Sequence, residues 1–141
     1  MDTEYANAIG TAMYNFMYLE WCVIWTIFKL SPDGTKFEYS KLPAGKLHKE
    51  LKKCISDARA CLSTGLYKRL IEFAKQYHSA IAARNSIVHA HPYSTSSGAQ
   101  RLLSRGVSLE IKTLHDMALA FENAAIEGND IFHGDLKRER P

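Results

Sequence analysis

The sequence lacks the features that mark membrane, secreted and disulfide-linked proteins. Only three of its 141 residues are cysteine, and none of them form a Cys-x-x-Cys pair. An odd number of scattered cysteines indicates free thiols in a reducing compartment. The longest apolar run, residues 21–28, is too short to cross a bilayer, and the acidic start lacks the basic segment of a signal peptide. We therefore expect a cytoplasmic protein without membrane attachment.

Signatures of metal and cofactor chemistry are also missing. The chain contains no glycine-rich phosphate loop and no nucleophile elbow. The histidines at positions 48, 78, 115 and 133 have no histidine or cysteine three or four residues away, which is the spacing of a helical metal site. We expect neither a metal nor another cofactor. The net charge of +3 is compatible with an RNA partner but does not by itself predict one.

Apolar residues at three- and four-residue spacing predict a mainly helical chain. No stretch shows the alternation of a substantial sheet, and 141 residues suffice for one domain with its own core. The expected fold is all-α: a single domain over residues 1–141, built as an antiparallel, up-down bundle of about four main helices. The predicted helices cover residues 5–30, 44–62, 66–90 and about 108–131, with a loop over 31–44 and a loop or short hairpin before the last helix.

The two longer connections carry further expectations. In the first, Phe37, Tyr39 and Leu42 are expected to pack onto the core. In the second, residues 91–98 are a loop by composition, and residues 99–106, with a glycine at each flank, favour a short hairpin. Ser108 is the expected N-cap of the last helix.

The most informative segment is Arg84-Asn85-Ser86-Ile87-Val88-His89, at the end of the third predicted helix. Arginine offers a fork of donors that suits phosphate oxygens, histidine holds or releases a proton near neutral pH, and an asparagine amide can orient a phosphate or an imidazole. Asn85 and His89 share a helix face, whereas Arg84 and His89 lie about 140° apart around the helix. One helix therefore points the two charged groups apart, and two copies that meet near Asn85 would bring them together.

This segment resembles the Arg-x4-His motif, in its Arg-Asn-x3-His form, of the HEPN family (higher eukaryotes and prokaryotes nucleotide-binding). Members are small helical bundles with the motif at the C-terminal end of the third main helix, then a loop and a last long helix, and the predicted layout is similar over nearly the whole chain. The resemblance implies a metal-independent endoribonuclease that leaves a 2′,3′-cyclic phosphate. His89 would transfer the proton, Arg84 would stabilise charge on the phosphorane, and Asn85 would hold phosphate or imidazole.

Three further residues are supporting candidates for this site. Glu20 falls on the apolar stripe of the first helix, where a carboxylate is costly unless paired. Relatives often carry an acidic residue in an early helix near the motif, so the resemblance favours an ion pair with Arg84; a glutamate that reaches water is the alternative. His91 and Tyr93 follow the motif, and they would either touch substrate or serve only as a helix-terminal histidine and a packed tyrosine.

The motif and the resemblance also suggest partners. RNA would be the substrate, and the motif geometry favours a homodimer with a composite active site, for which Trp21, Trp25 and Tyr93 are candidate anchors. A toxin–antitoxin or phage-defence role would add a neutralising or nucleotidyltransferase-type protein partner. Two alternatives stay open: a catalytically inactive module for dimerisation or partner binding, and a nucleotide-binding sensor that does not cleave.

Overall fold

The computed structural model describes residues 2–31 and 36–136, with side chains for all of these except residues 36 and 37. The predicted mainly helical fold is confirmed, and a small sheet is added to it. A 3₁₀ turn follows the third helix, and a π-helical turn follows the fifth. The elements are α1 (Thr3–Leu30), α2 (Lys36–Ser40), α3 (Ala44–Ala58), the 3₁₀ turn (Arg59–Cys61), α4 (Thr64–Val88), β1 (His91–Ser94), β2 (Gln100–Ser104), β3 (Val107–Leu109), α5 (Ile111–Asp130) and the π-helical turn (Ile131–Asp135).

Local signals explain where the two longest helices begin and which side of α1 is buried. The Asp2 carboxylate accepts a hydrogen bond from the Tyr5 backbone N–H at 2.7 Å, and the Ser63 hydroxyl accepts one from the Leu66 N–H at 3.1 Å. Both bonds satisfy backbone donors that a helix start leaves open. The buried side chains of α1 recur at three- and four-residue spacing, as predicted, and include Tyr5, Ala8, Ala12, Phe16, Leu19, Val23, Ile27 and Leu30.

The connection after α1 differs from the predicted loop over residues 31–44, because part of it is the short helix α2. Tyr39 on α2 is buried, as predicted, and Leu42 is half-buried. The side chain of Phe37 lies outside the described residues. A helix of five residues is too short to show an apolar period in the sequence.

A three-stranded antiparallel sheet, in the order β1-β2-β3, takes the place of most of the second predicted loop. The β2–β3 hairpin turns at Arg105 and Gly106, whose φ angles of 49° and 79° are both positive. This pattern belongs to the mirror-image two-residue turns that match strand twist. The hairpin therefore lies later than residues 99–106, where the flanking glycines predict it. Ser108 belongs to β3 and is not a cap; the N-cap position of α5 is held by Glu110.

Helices α1 and α5 run in the same direction. The Asn15 amide donates to the Ala118 carbonyl at 2.9 Å, and the Cys22 thiol donates to the Ala125 carbonyl at 3.5 Å. Positions along the two helices thus increase together. An up-down bundle would make the first and last helices antiparallel, so the predicted antiparallel arrangement is wrong for this pair.

Helix α4 is antiparallel to its neighbours. Glu20 of α1 contacts Tyr77, whereas Phe16, one turn earlier on α1, contacts Arg84, later on α4. His48, near the start of α3, lies 6.4 Å from Tyr77 between ring centroids. Helix α3 therefore begins beside the middle of α1 and not beside its end, and α2 packs on α1 before it. Because α3 starts beside the middle of α1, it runs parallel to α1. Helix α4 is antiparallel to both, and α5 is again parallel to α1.

Candidate functional site

Residues 84–89 form the last turn and a half of α4, as predicted. The α-helix ends at Val88, two residues before the predicted boundary. His89 is the C-cap, with φ −97° and ψ 8°, and its backbone N–H donates to the Asn85 carbonyl at 3.0 Å. Strand β1 starts two residues further on. The motif thus lies at the junction between a long helix and the small sheet.

Arg84 points from α4 into the bundle. Its guanidinium carbon lies 4.9 Å from the centroid of the buried Phe16 ring, which is a cation–π distance. The Nε atom is buried and has no hydrogen-bond partner in the part of the chain that the structure describes. A buried donor without an acceptor costs stability.

Glu20 bonds to Tyr77 instead of Arg84. The Tyr77 hydroxyl donates to the Glu20 carboxylate at 2.7 Å, and the ion pairs within 4.0 Å between described residues do not include Glu20 with Arg84. Burial, and then the bond to Glu20, raise the pKa of Tyr77 well above its ordinary value, while the Arg84 charge acts in the opposite direction. The predicted direct ion pair between Glu20 and Arg84 is therefore wrong. The Glu20 carboxylate instead accepts a hydrogen bond from the Tyr77 hydroxyl, which lies close enough to the Arg84 guanidinium to be affected by its charge.

His89 and Asn85 occupy another side of the same helix. His89 is exposed and Asn85 is half-buried. Positions 78, 82, 85 and 89 follow each other at steps of four, three and four, so they share one flank of α4. That flank faces α3, because the His78 ring lies 4.7 Å from the His48 ring between centroids. Within a single chain the structure thus does not bring Arg84 and His89 together.

The two supporting residues beyond the motif lie on β1. His91 is exposed and pairs with Leu103 of β2. Tyr93 is half-buried, pairs with Arg101, and lines a groove of about 390 Å³ between the sheet and the first turns of α1. His91 follows the helix end and is not a helix-terminal residue, since it already belongs to a strand.

Arg101 is a basic residue of the small sheet that sequence reasoning missed. Its guanidinium lies 4.6 Å from the Tyr5 ring centroid and 3.2 Å from an Asp2 carboxylate oxygen. Tyr5 in turn joins the sheet to α1, since its hydroxyl donates to the Leu109 carbonyl and accepts from the Leu102 N–H. No local pattern around Arg101 marks it, because its neighbours come from the other end of the chain.

Two grooves flank α4. One, of about 610 Å³, lies between α4 and α5 and is floored by small residues such as Ala80 and Ala124; the buried Gln76 Oε1 atom at this groove has no hydrogen-bond partner among the described residues. The motif residues do not line it. The other groove, between α3 and α4, holds the His48–His78 pair. No local sequence pattern predicts this pair, because its members lie on two different helices.

Comparison of the chain with protein-family models, with curated proteins and with solved structures yields no match in any of the three. The resemblance to the HEPN family therefore stays a prediction, which depends on the motif and on its place in the helical layout. In residues 2–31 and 36–136, no group of three or more His, Cys, Asp or Glu side chains is arranged to hold a metal ion. No described helix combines the length and apolarity needed to span a bilayer.

Proposed function

We propose that this chain is a metal-independent endoribonuclease of the HEPN type, acting in the cytoplasm, whose active site is formed by two copies. The observation that carries the proposal is the state of Arg84 and His89 at the end of α4. Arg84 is half-buried and forms no ion pair in the described chain, and His89 is exposed. A phosphate clamp needs free donors, and a proton-transfer group needs access to substrate.

In the proposed reaction, His89 takes the proton of a ribose 2′-hydroxyl, and the 2′-oxygen attacks the adjacent phosphorus. The bond from phosphorus to the 5′-oxygen of the next nucleotide breaks, and that oxygen takes up a proton from the imidazolium or from water. The products are a 2′,3′-cyclic phosphate and a 5′-hydroxyl. Arg84 stabilises the charge on the phosphorane, and Asn85 orients phosphate or imidazole. DNA resists because it lacks the attacking hydroxyl.

Glu20 is a positioning residue in this proposal, and it acts through Tyr77. The 2.7 Å hydrogen bond between them joins α1 to α4 one turn from the ring that carries the Arg84 guanidinium. Tyr93 and His91 lie on β1, just after the motif, where a strand of RNA leaving His89 would meet them. Their proposed part is contact with substrate, not proton transfer.

A homodimer is part of the proposal, because one chain holds Arg84 and His89 about 140° apart on a helix. A two-fold axis near Asn85 would set the Arg84 of each copy opposite the partner's motif, and such self-complementary contacts are the commonest among soluble oligomers. Trp21 does not serve this interface, because it lies about 140° around α1 from Phe16, the residue that touches Arg84. The proposed interface therefore uses the C-terminal end of α4.

The exposed apolar surface of α1 favours a second candidate, a module for partner binding. Tyr14, Met17 and Trp21 are 66%, 59% and 46% exposed and lie at helical spacing. Exposed apolar patches of this kind often mark protein interfaces. Under the first proposal this surface would receive a neutralising or nucleotidyltransferase-type protein in a toxin–antitoxin or phage-defence setting. Under the second, binding is the whole function and no RNA is cut.

The test is RNA cleavage by the purified chain in EDTA, with His89→Ala and Arg84→Ala variants beside it. We expect cleavage in EDTA, a loss of about 10²- to 10⁴-fold without the proton-transfer group, and a loss of about 10²- to 10³-fold without the electrostatic one. His133→Ala is the matched control, because His133 is exposed and lies in the π-helical turn, whose Asp135 pairs with Arg69 near the opposite end of α4 from the motif. Thermal melts of Arg84→Ala check that loss of the Phe16 contact leaves the chain folded.

Three outcomes separate the alternatives. Cleavage that both motif variants retain in full contradicts the assigned roles. Absence of cleavage, with tight binding of a nucleotide that the variants lose, identifies the sensor. Sedimentation that shows a monomer at micromolar concentration while RNA is still cut removes the composite site.

A further inference from the structure

The groove between α3 and α4 is lined by basic side chains. It measures about 540 Å³, and His48, Lys52, Lys75 and His78 contribute to its walls together with Ser79. No carboxylate is among the described residues that line it. Lys52, Lys75 and His78 are exposed and His48 is half-buried, so the cationic groups reach solvent from an apolar floor.

Lys52 and Lys75 form no ion pair with an acidic residue in the described chain. The ion pairs there join other residues: Arg69 with Glu127 and Asp135, Arg101 with Asp2, and Lys112 with Asp116. The groove instead places basic side chains next to one another, and burial, followed by His78 and Lys52, lowers the pKa of His48. A cluster of basic groups that repel one another without a counter-charge is stabilised by an anion. The groove therefore lacks a negative charge that would balance its basic side chains.

The groove and the motif lie on the same flank of α4, although the lining of the groove ends at Ser79. His78, Asn85 and His89 share a face of α4 because they are seven and four residues apart. At 1.5 Å of rise per residue, His78 lies roughly 10 Å along the helix axis from Asn85 and roughly 16 Å from His89. A stacked nucleic-acid strand advances about 3.4 Å per nucleotide. His78, at the end of the groove nearest the motif, is thus about five nucleotides away from His89, the residue proposed to act on the ribose.

We propose that the groove between α3 and α4 binds the phosphate backbone of an RNA strand a few nucleotides from the bond that His89 acts on. The identity of the ligand rests on the ribonuclease function proposed above, and the groove itself rests on its basic lining and on its place on the same flank of α4 as the motif. Single-stranded nucleic acid is commonly held in a positively charged groove that follows its backbone. Lys52 and Lys75 are the principal phosphate contacts.

The test is the salt dependence of binding to a fluorescent, single-stranded 2′-O-methyl RNA, which retains the phosphates but cannot be cleaved. Fluorescence anisotropy is measured for the intact chain and for a Lys52→Gln/Lys75→Gln variant. Each phosphate contact contributes about 0.7 to the slope of log K against log salt for a single strand. Loss of both contacts should lower the slope by about 1.4 and weaken binding about 10- to 30-fold near 0.1 M salt.

The matched control is Lys46→Gln/Lys53→Gln, which removes the same charge from exposed positions of α3 that do not line the groove. We expect its slope to remain close to that of the parent chain. Equal weakening by both double variants would show that only net charge matters and would overturn the proposal. Unchanged binding by the groove variant, or no binding by the parent chain, would overturn it as well.

The groove proposal and the ribonuclease proposal can fail independently, because the binding assay tests the first and the cleavage assay tests the second. If the parent chain cuts RNA but the groove variant binds like the parent, the groove proposal is wrong and the ribonuclease proposal stands. If the parent chain cuts nothing but the groove variant loses affinity and the control does not, the ribonuclease proposal is wrong and the groove is an RNA-binding site.

Discussion

Gly128→Ala is expected to destabilise the chain, although alanine is the better helix former. Gly128 lies inside α5, where it faces both α1 and α4. A methyl group there would lie 2.6 Å from two ring carbons of Phe73 and 3.1 Å from the Cβ atom of Cys22. Phe73 is fully buried, so its ring has little room to retreat. The position is therefore a close approach of three helices that only glycine permits.

The magnitude follows from two opposing terms. Overpacking a buried site costs about 1–3 kcal/mol, and replacing glycine by alanine inside a helix gains about 1 kcal/mol. The net loss for Gly128→Ala is thus about 0–2 kcal/mol. Gly10 is the matched control, because it lies inside α1 with nothing within 4 Å of an added methyl group. Gly10→Ala should gain the full helix term of about 1 kcal/mol.

Urea unfolding and thermal melts of both variants measure the difference. At about 3 °C per kcal/mol for a domain of this size, the Tm of Gly10→Ala should rise by about 3 °C, and that of Gly128→Ala should fall by up to about 6 °C. Phe73→Leu replaces the ring by a smaller side chain and should reduce the cost of the Gly128→Ala methyl group. The Gly128→Ala/Phe73→Leu double variant should therefore be more stable than the sum of the two single losses predicts. Equal stabilisation by Gly128→Ala and Gly10→Ala would refute the close approach of α1, α4 and α5.

Two further predictions concern buried titratable groups. Burial raises the pKa of the Cys22 and Cys54 thiols to about 11, whereas Cys61 is exposed; brief maleimide labelling should modify Cys61 alone in the folded chain, and rapid modification of all three would contradict the core packing. The pKa of His48 is lowered, first by burial and then by His78 and Lys52. Below about pH 6.5 the unfolded chain therefore binds more protons than the folded chain, and the free energy of unfolding declines as the pH falls. His48→Gln should lose less stability than the parent chain between about pH 7.5 and pH 5.5 in urea melts, and an unchanged pH dependence would show that His48 does not titrate in this way.

The long helices are predictable from the sequence because each carries its own apolar period. The helical period of α1 and the position of the motif at the end of α4 are both local properties, and both predictions are confirmed. Strand β1 carries no such signal, because His91, Pro92 and Ser94 have the composition of a loop. The strand forms because β2 supplies hydrogen-bond partners for it, and the sequence of β1 alone does not predict such pairing.

The shared direction of α1 and α5 could not be read from the periods of the helices, because it depends on how the chain returns between α1 and α3. The same holds for much of the candidate site. The inward orientation of Arg84 agrees with its place on the helix, since it lies seven residues after the buried Tyr77. The bond between Tyr77 and Glu20, and the contact between His48 and His78, join residues far apart in sequence. Only the tertiary structure brings these groups together.

The central claim is that this chain cuts RNA through the 2′-hydroxyl with His89 as the proton-transfer group. Its most direct test is the chemistry of the product ends, read by mass spectrometry after incubation of a single-stranded RNA with the purified chain in EDTA. The account predicts 2′,3′-cyclic phosphate and 5′-hydroxyl ends, a cleavage site that is lost when the one ribose beside it is replaced by deoxyribose, and no product with His89→Ala. Uncut RNA, 3′-hydroxyl ends, or the same products from His89→Ala would contradict it.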